Sequence, residues 1–114
     1  MNIGIEFLEG YQEKSLTLVK LTKSRNGQTG TATFIFIQPT LFKLLYFQKR
    51  NLESISLIMN NEKITSFDIK VAFKEGKPFL LKAIFLFKNS NEWFIFLNFM
   101  GQYSKETGLS FLEK

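Results

Sequence analysis

Alternation of apolar and polar residues predicts a series of β-strands along most of the chain. Residues 3–7 alternate with the period of two that is typical of a half-buried strand. Further strands are predicted where β-branched and aromatic residues dominate between turn formers, over residues 16–23, 31–37, 56–59, 64–73 and 79–87. The strand-rich part of the chain therefore predicts a sheet built of consecutive hairpins.

The segment over residues 31–37 is apolar on both of its faces. Phe34 and Phe36 share one face, while Thr33, Ile35 and Ile37 share the other. A strand that is apolar on both faces is typical of the interior of a sheet. We therefore expect a central strand here, ended by the proline that follows it.

Two clusters of turn-forming residues separate predicted strands. The first covers residues 24–30, where Asn26 and Gly27 supply the positive φ values of a tight hairpin. The second covers residues 75–78 and contains Gly76 and Pro78. Both clusters predict short hairpin connections between antiparallel strands.

A helix is predicted after the last strand. Asn89 is a suitable N-cap, and Glu92, three residues later, completes a capping-box-like pair. Gly108 offers a helix stop, and the apolar residues between these ends fall at helical spacing: Trp93, Phe96, Leu97, Met100 and Tyr103. The pattern predicts the α+β class: a single domain over residues 1–114, with an antiparallel sheet of hairpins and a C-terminal helix packed on it. The segment over 41–53 fits neither a helix nor a loop well.

Composition restricts the chemistry. The 114 residues include no Cys and no His, which removes disulfides, zinc fingers, thiolate nucleophiles, Ser-His-Asp triads and imidazole proton shuttles. The ten carboxylates show no pair suited to acid/base work, and Asp68 is expected on a solvated strand face. Composition therefore argues against most common enzymes, and we expect no catalytic residue, no metal site and no cofactor.

The chain is basic, with a formal net charge of +5. This charge favours anionic partners, but only Arg25 and Arg50 are arginines, whereas dedicated nucleic-acid binders usually carry more. Apolar runs are too short to span a bilayer, and the N-terminus has neither signal-peptide nor transit-peptide character. We therefore expect a protein that works in the compartment where it is made.

Three features each allow two interpretations. Gly27 and Gly30 match the spacing of a phosphate-gripping GXXG loop, but a loop between two strands favours ordinary turn chemistry. Phe34 and Phe36 could stack RNA bases on a sheet surface, although with 14 Phe in the chain most must belong to the core. Basic residues near Lys23 could grip an acidic partner or form a solvated edge.

Three stretches resemble one known family. They are residues 19–36 with Pro39, residues 73–78, and Glu92-Trp93 followed by Phe96, Phe99, Met100, Tyr103 and the ending over 108–111. Together they span nearly the whole chain in the order found in the soluble photosystem II protein numbered twenty-eight in the Psb series. The chain therefore resembles this protein family, which is found in cyanobacteria and plastids.

The resemblance implies a non-catalytic photosystem II assembly factor. Such a protein binds the stromal or cytoplasmic face of assembly intermediates, peripheral to the thylakoid membrane, near the inner antenna subunit and the quinone-iron acceptor side. The resemblance further implies that a strand edge of this protein pairs with the C-terminal tail of the antenna subunit. It also implies that the protein contacts a stromal loop of the reaction centre. For an assembly factor, neither a nucleic acid nor a small-molecule substrate is expected. The alternative function is that of a sheet-surface RNA-binding module.

The basic hairpin is where the residue patterns and the resemblance agree. The predicted partner-binding residues are Lys23, Arg25, Asn26, Gly27, Gln28, Thr29 and Gly30. The chain departs from the family over residues 42–53, where basic and apolar residues replace an acidic, glycine-containing loop. It also departs in the helix, where Phe94, Ile95 and Asn98 replace charged residues. This apolar helix surface could pack under the segment over 41–47 or form an exposed patch that binds a partner or lipid, and we expect packing.

Overall fold

Strands dominate the part of the chain that the structure describes, with one long helix near the end. The computed structural model describes residues 3–8, 11–13, 17–39, 42, 52–60, 62–107 and 111–113. The elements are β1 (Ile3–Leu8), β2 (Tyr11–Gln12), β3 (Thr17–Lys23), β4 (Gly30–Ile37), β5 (Ile55–Met59), β6 (Glu62–Ser66), β7 (Asp68–Lys74), β8 (Lys77–Phe87), α1 (Ser90–Thr107) and β9 (Phe111–Glu113).

The strands form two sheets. One has the order β2-β1-β5-β6, and the other has the order β7-β8-β4-β3-β9. Neighbouring strands are antiparallel, except that β9 lies parallel to β3. The α+β prediction of antiparallel hairpins with a C-terminal helix is confirmed. The predicted central strand is β4, which lies between β3 and β8.

The prediction of one continuous strand over residues 64–73 is wrong. The chain turns at Phe67, so that β6 belongs to the four-stranded sheet and β7 to the five-stranded sheet. Two hydrogen bonds of the Ser66 side chain stabilise this corner. Its hydroxyl donates to the carbonyl oxygen of Ile84 and accepts from the Asp68 N–H at 3.1 Å. Alternation does not show the corner because its period is the same in both sheets.

Phenylalanine rings join the two sheets and the helix in one core. Phe7 of β1 meets Phe36 of β4 edge to face, with ring centroids 5.0 Å apart. Phe34 makes similar contacts with Phe85 of β8 at 5.5 Å and with Phe96 of α1 at 6.2 Å. Each fully buried aromatic side chain contributes about 2–3 kcal/mol of transfer free energy. The inner face of β4 therefore holds the layers together.

The helix begins as the capping residues predict. Asn89 Oδ1 accepts a hydrogen bond from the Glu92 N–H at 2.9 Å, and Glu92 Oε1 accepts from the Lys88 N–H at 3.3 Å. The predicted apolar stripe faces the core, with Leu97 half-buried and the rest buried: Trp93, Phe96, Met100 and Tyr103. The predicted stop at Gly108 lies outside the described residues.

Two details concern residues around this helix. Burial raises the pKa of Tyr103 above its usual value of 10.0, and the charge of Glu13 raises it further. Phe42 packs against the core and is partly buried. The other residues of the segment over 41–47, under which the helix was expected to pack, lie outside the described residues.

The two faces of the five-stranded sheet differ in burial. Along β4, Ala32, Phe34 and Phe36 are buried, while the residues between them are half-buried or exposed. We call the second surface the outer face. Alternation and strand register assign to it Leu18, Lys20, Thr22, Thr31, Thr33, Ile35, Ile37, Asp68, Lys70, Ala72, Leu80, Lys82, Ile84 and Leu86.

Candidate protein-binding site

The turn between β3 and β4 is held by its own hydrogen bonds. Ser24 and Thr29 close it, since the Ser24 N–H donates to the Thr29 carbonyl oxygen at 3.0 Å and the Thr29 N–H donates to Ser24 Oγ at 3.2 Å. Asn26 Oδ1 accepts from Ser24 Oγ at 2.7 Å and from the Gln28 N–H at 3.0 Å. This network gives the loop a defined shape without a covering element.

The Asn-Gly pair does not form the tight two-residue hairpin that its sequence predicts. Of the two, only Gly27 has a positive φ, at 71°. The Gly27 N–H donates to the Ser24 carbonyl oxygen at 3.0 Å, so residues 24–27 form a β-turn inside a longer loop. Serine first and glycine fourth is the arrangement that a type I turn favours. The last strand pair before the loop is Lys23 with Gly30.

The structure brings most of the predicted binding residues together on one exposed tip. Lys23, at the end of β3, and Arg25, in the turn, are exposed, as are the three residues of the segment 26–28. Thr29 is half-buried. The tip therefore presents two cations and several polar groups on a preformed turn, which suits recognition of an acidic or polar segment.

Gly30 differs from the rest of the predicted site because it is buried. A Cβ added there would lie 2.6 Å from the Thr22 carbonyl oxygen and 2.7 Å from Trp93 Cη2. These distances are shorter than any side chain tolerates, so the Trp93 ring lies directly against the glycine backbone. In this fold Gly30 permits close packing of β4 against α1.

The structure supports neither of the two nucleic-acid-binding features that the sequence suggested. Gly27 lies in a hairpin turn and Gly30 in a strand, so the interpretation as ordinary turn chemistry is confirmed. Phe34 and Phe36 have 0% exposure and contact other rings of the core, including Phe96 of α1. The RNA-binding alternative is wrong about these two rings, because a buried ring cannot stack a base.

The edge next to the tip is partly covered. β9 pairs with β3 at Val19, Lys20 and Leu21, which leaves Thr22 and Lys23 beyond the last pair. Among the described strands, the outermost members of the sheets are β7 and β9 in one and β2 and β6 in the other. β7 is the longest of these four, and its outer side offers unpaired backbone groups to an added strand.

A second basic tip joins β7 to β8. Glu75 and Gly76 have φ values of 53° and 79°, as in a two-residue turn with positive φ at both central positions. Lys74 and Lys77 flank the turn and are paired in register. Lys74 Nζ lies 5.1 Å from the centre of the Phe79 ring, within the range of a cation–π contact. The turn predicted over residues 75–78 is confirmed, with its centre at 75–76.

Neither a cluster of metal-ligating side chains nor a membrane-spanning helix is found among the described residues. In the described ranges, no group of three or more acidic, His or Cys side chains is placed to hold a metal ion. Asp68 is exposed on the outer face, as predicted. Searching those same ranges finds no helix that is both long and apolar enough to cross a bilayer.

Sequence comparison agrees with the resemblance given by the motifs. A family model described as Psb28 protein matches residues 5–111 of the chain. The match covers both tips, all of β3 to β8 and the helix. It therefore extends over the fold as a whole, beyond the two tips.

Similar proteins occur in red algae, cyanobacteria and plants. The photosystem II reaction center Psb28 protein of Cyanidioschyzon merolae is 36% identical over 108 residues, which cover 95% of each chain. The protein of that name from Synechococcus elongatus is 34% identical over 113 residues, covering 99% of each chain. The chloroplastic PSB28 protein of Oryza sativa is 34% identical over 111 residues, covering 97% of this chain and 61% of the relative.

Proposed function

The chain belongs to the Psb28 protein family, and from this membership we propose that it is a non-catalytic assembly and repair factor of photosystem II. It is a photosystem II protein, and similar proteins are found in cyanobacteria, algae and chloroplasts. The observation that carries the proposal is that relatives named as photosystem II reaction center proteins match the chain almost from end to end. The factor binds assembly intermediates and leaves before the complex matures.

The proposed location is the stromal side of the plastid thylakoid membrane, or its cytoplasmic side in a cyanobacterium. The protein binds there peripherally, near the inner antenna subunit and the acceptor side. Two features support this mode of binding: an exposed basic tip at Lys23 and Arg25, and an outermost strand, β7, whose outer side pairs with no other described strand. The tip suits a reaction-centre loop, and the strand edge suits an extended tail.

Docking of the antenna tail follows from backbone chemistry. An extended peptide that lies along an outermost strand exchanges N–H and C=O hydrogen bonds with it. These bonds supply affinity with little dependence on sequence, so charges at the strand ends must set the register. At the end of β7 these charges are Lys74 and Lys77, which flank its turn. Lys23 and Arg25 lie three strands away, near the end of β3, and are proposed to contact the reaction-centre loop, with Arg25 held by the hydrogen-bonded turn over 24–29.

The proposal is tested by native-gel co-migration with detergent-solubilised thylakoid membranes. Tagged wild-type protein is compared with the double variant Lys23→Ala, Arg25→Ala. The matched control is Lys63→Ala, Lys105→Ala, which removes the same charge from exposed residues of β6 and of the last turn of α1. We expect the wild type and the control to co-migrate with photosystem II intermediates and the tip variant to be lost from them.

Each alternative result has a defined meaning. Loss of binding in both double variants would show that total charge, and not the tip, determines docking. Retention of the tip variant would move the interface to the β7 edge or to the helix. No co-migration of the wild type with any photosystem II intermediate would overturn the assembly-factor proposal.

A further inference from the structure

The outer face of the five-stranded sheet exposes large apolar side chains. Leu18, Ile37 and Leu86 are 54%, 47% and 67% exposed, whereas their counterparts on the inner face are buried. They belong to three strands, β3, β4 and β8: Leu18 lies directly opposite the half-buried Ile35, and Leu86 lies opposite Thr31, beyond the half-buried Ile84. A continuous surface of this kind is typical of a place where a protein contacts something else.

Lysines are distributed among these apolar residues. Lys70 of β7 and Lys82 of β8 lie directly opposite each other in the register of the two strands. Like charges in that position destabilise a sheet, because side chains directly opposite are only about 5 Å apart at their Cβ atoms. Neither lysine forms an ion pair with a described carboxylate. A bound anionic group between them would remove the repulsion.

The described residues of the outer face carry a net positive charge. Lys20 lies on it opposite Thr33 of β4, and the one carboxylate among its described residues, Asp68, lies opposite Ile84. Three lysines and one aspartate leave the face cationic. Self-association through this face would bring two cationic surfaces together, so the charge disfavours it.

The backbone of the face also restricts its partner. In β8 and β4 the N–H and C=O groups are already used in pairing with strands on both sides, so an extended peptide laid on the face gains no backbone hydrogen bonds. A bilayer surface needs none, since it offers anionic headgroups to lysines and acyl chains to leucine and isoleucine side chains.

We propose that the outer face binds an anionic lipid surface, with Lys70 and Lys82 holding one headgroup between them. Leu18, Ile37 and Leu86 then reach the boundary between headgroups and acyl chains. The inference goes beyond the proposed function and does not require photosystem II subunits. It is also compatible with edge docking, because side chains leave a sheet perpendicular to its plane whereas the unpaired groups of an edge strand lie in the plane.

The experiment is co-sedimentation of the full chain with vesicles of defined composition. Mixed phosphatidylglycerol–phosphatidylcholine vesicles are compared with pure phosphatidylcholine vesicles, and with the mixed vesicles at high salt. We expect binding to the mixed vesicles at low salt and a steep loss in the other two conditions. We expect the double variant Lys70→Gln, Lys82→Gln to bind the mixed vesicles about thirtyfold more weakly than the wild type. The control double variant Lys63→Gln, Lys105→Gln should lose clearly less affinity.

Leu86→Asn tests the apolar part of the face without removing charge. Leu86 is largely exposed, so the substitution leaves the fold intact, and we expect it to weaken vesicle binding several-fold. Equal losses in the outer-face and control lysine variants would overturn the proposal, since they would indicate a response to net charge alone. Absence of wild-type binding to mixed vesicles, or preference for a soluble polyglutamate peptide over them, would also overturn it. None of these results depends on the photosystem II experiment.

Discussion

The two faces of strand β4 are built of similar residue types but have opposite surroundings. On the inner face, Phe34 and Phe36 are completely buried against rings from both sheets and from the helix. On the outer face, Ile35 is half-buried and Ile37 is 47% exposed. Apolar character is therefore shared by the two faces, but the inner one contributes most of the stability of the fold.

This difference teaches where a binding surface can be found in a small domain. A core residue cannot change partner without loss of the fold, because interiors are close-packed. Residues of the outer face have no such restriction, so their apolar character and the opposed lysines require another explanation than folding. Interaction with a partner surface supplies one, and mutations on each face can test the division.

The largest expected effect is on the inner face. Phe34→Ala removes a ring that contacts Phe85 and Phe96 in the core, and we expect it to lower the free energy of unfolding by about 3–5 kcal/mol. Ile35→Ala, its neighbour on the outer face, is expected to cost about 1 kcal/mol, because the half-buried side chain loses less contact. Urea unfolding followed by circular dichroism measures both.

Comparable losses for the two variants would contradict the division between the faces. They would mean that Ile35 is as well packed in solution as Phe34, and therefore that something covers the outer face. Repeating the measurement at several protein concentrations identifies self-association as the cover, since a dimer interface makes apparent stability depend on concentration.

A smaller effect is expected where the inner face meets the helix. Gly30→Ala places a methyl group 2.6 Å from the Thr22 carbonyl oxygen and 2.7 Å from the Trp93 ring. We expect a loss of about 1–3 kcal/mol, because backbone cannot move aside and the ring is fully buried. Differential scanning calorimetry should show a clear fall in melting temperature.

Gly101→Ala is the matched control for that variant. Gly101 is exposed within α1, and a Cβ added there meets no atom within 4 Å. The same chemical change should therefore raise stability by about 1 kcal/mol through helix propensity alone. If Gly30→Ala proved neutral instead, the contact between β4 and Trp93 would be looser than the structure indicates, and a role for Gly30 in packing would be refuted.

How far the sequence predicts the fold depends on the range of the interaction. The helix start at Asn89, the turn at Glu75-Gly76 and the central position of β4 all follow from residues within a few positions of one another. The corner at Phe67 and the parallel pairing of β9 with β3 do not. Both depend on contacts between distant segments, such as the hydrogen bond from Ser66 to Ile84.

The candidate sites divide in the same way. Lys23 and Arg25 could be selected from the sequence because the first precedes a recognisable turn and the second lies within it, and their role in binding stays a prediction. Lys70 and Lys82 could not, since each is simply a lysine in an alternating strand. Only the register of β7 on β8 shows that the two lie opposite each other. That register depends on the hairpin turn over 75–76, on the register shift between Ala72 and Phe73, and on the inner-face position of the half-buried Val71 and the buried Leu81.

The smallest expected effect separates stability from binding on the outer face. Lys82→Glu places a carboxylate opposite Lys70 and replaces a like-charge pair by an opposite-charge pair. We expect stability to rise by about 0.5 kcal/mol at low salt, with the gain reduced at high salt, because exposed pairs are screened. The measurement is urea unfolding at two salt concentrations, with Lys63→Glu on β6 as the control.

The same variant should lose binding to phosphatidylglycerol vesicles, although its fold is more stable. That combination distinguishes the proposal from a merely structural effect, because a variant that weakens binding through misfolding cannot also gain stability. When replacing one residue raises the stability of the fold and removes binding, folding alone does not explain the original residue. Unchanged vesicle binding in Lys82→Glu would show that the headgroup is held elsewhere, and the outer face would then have only its exposed leucines and isoleucine in favour of a lipid partner.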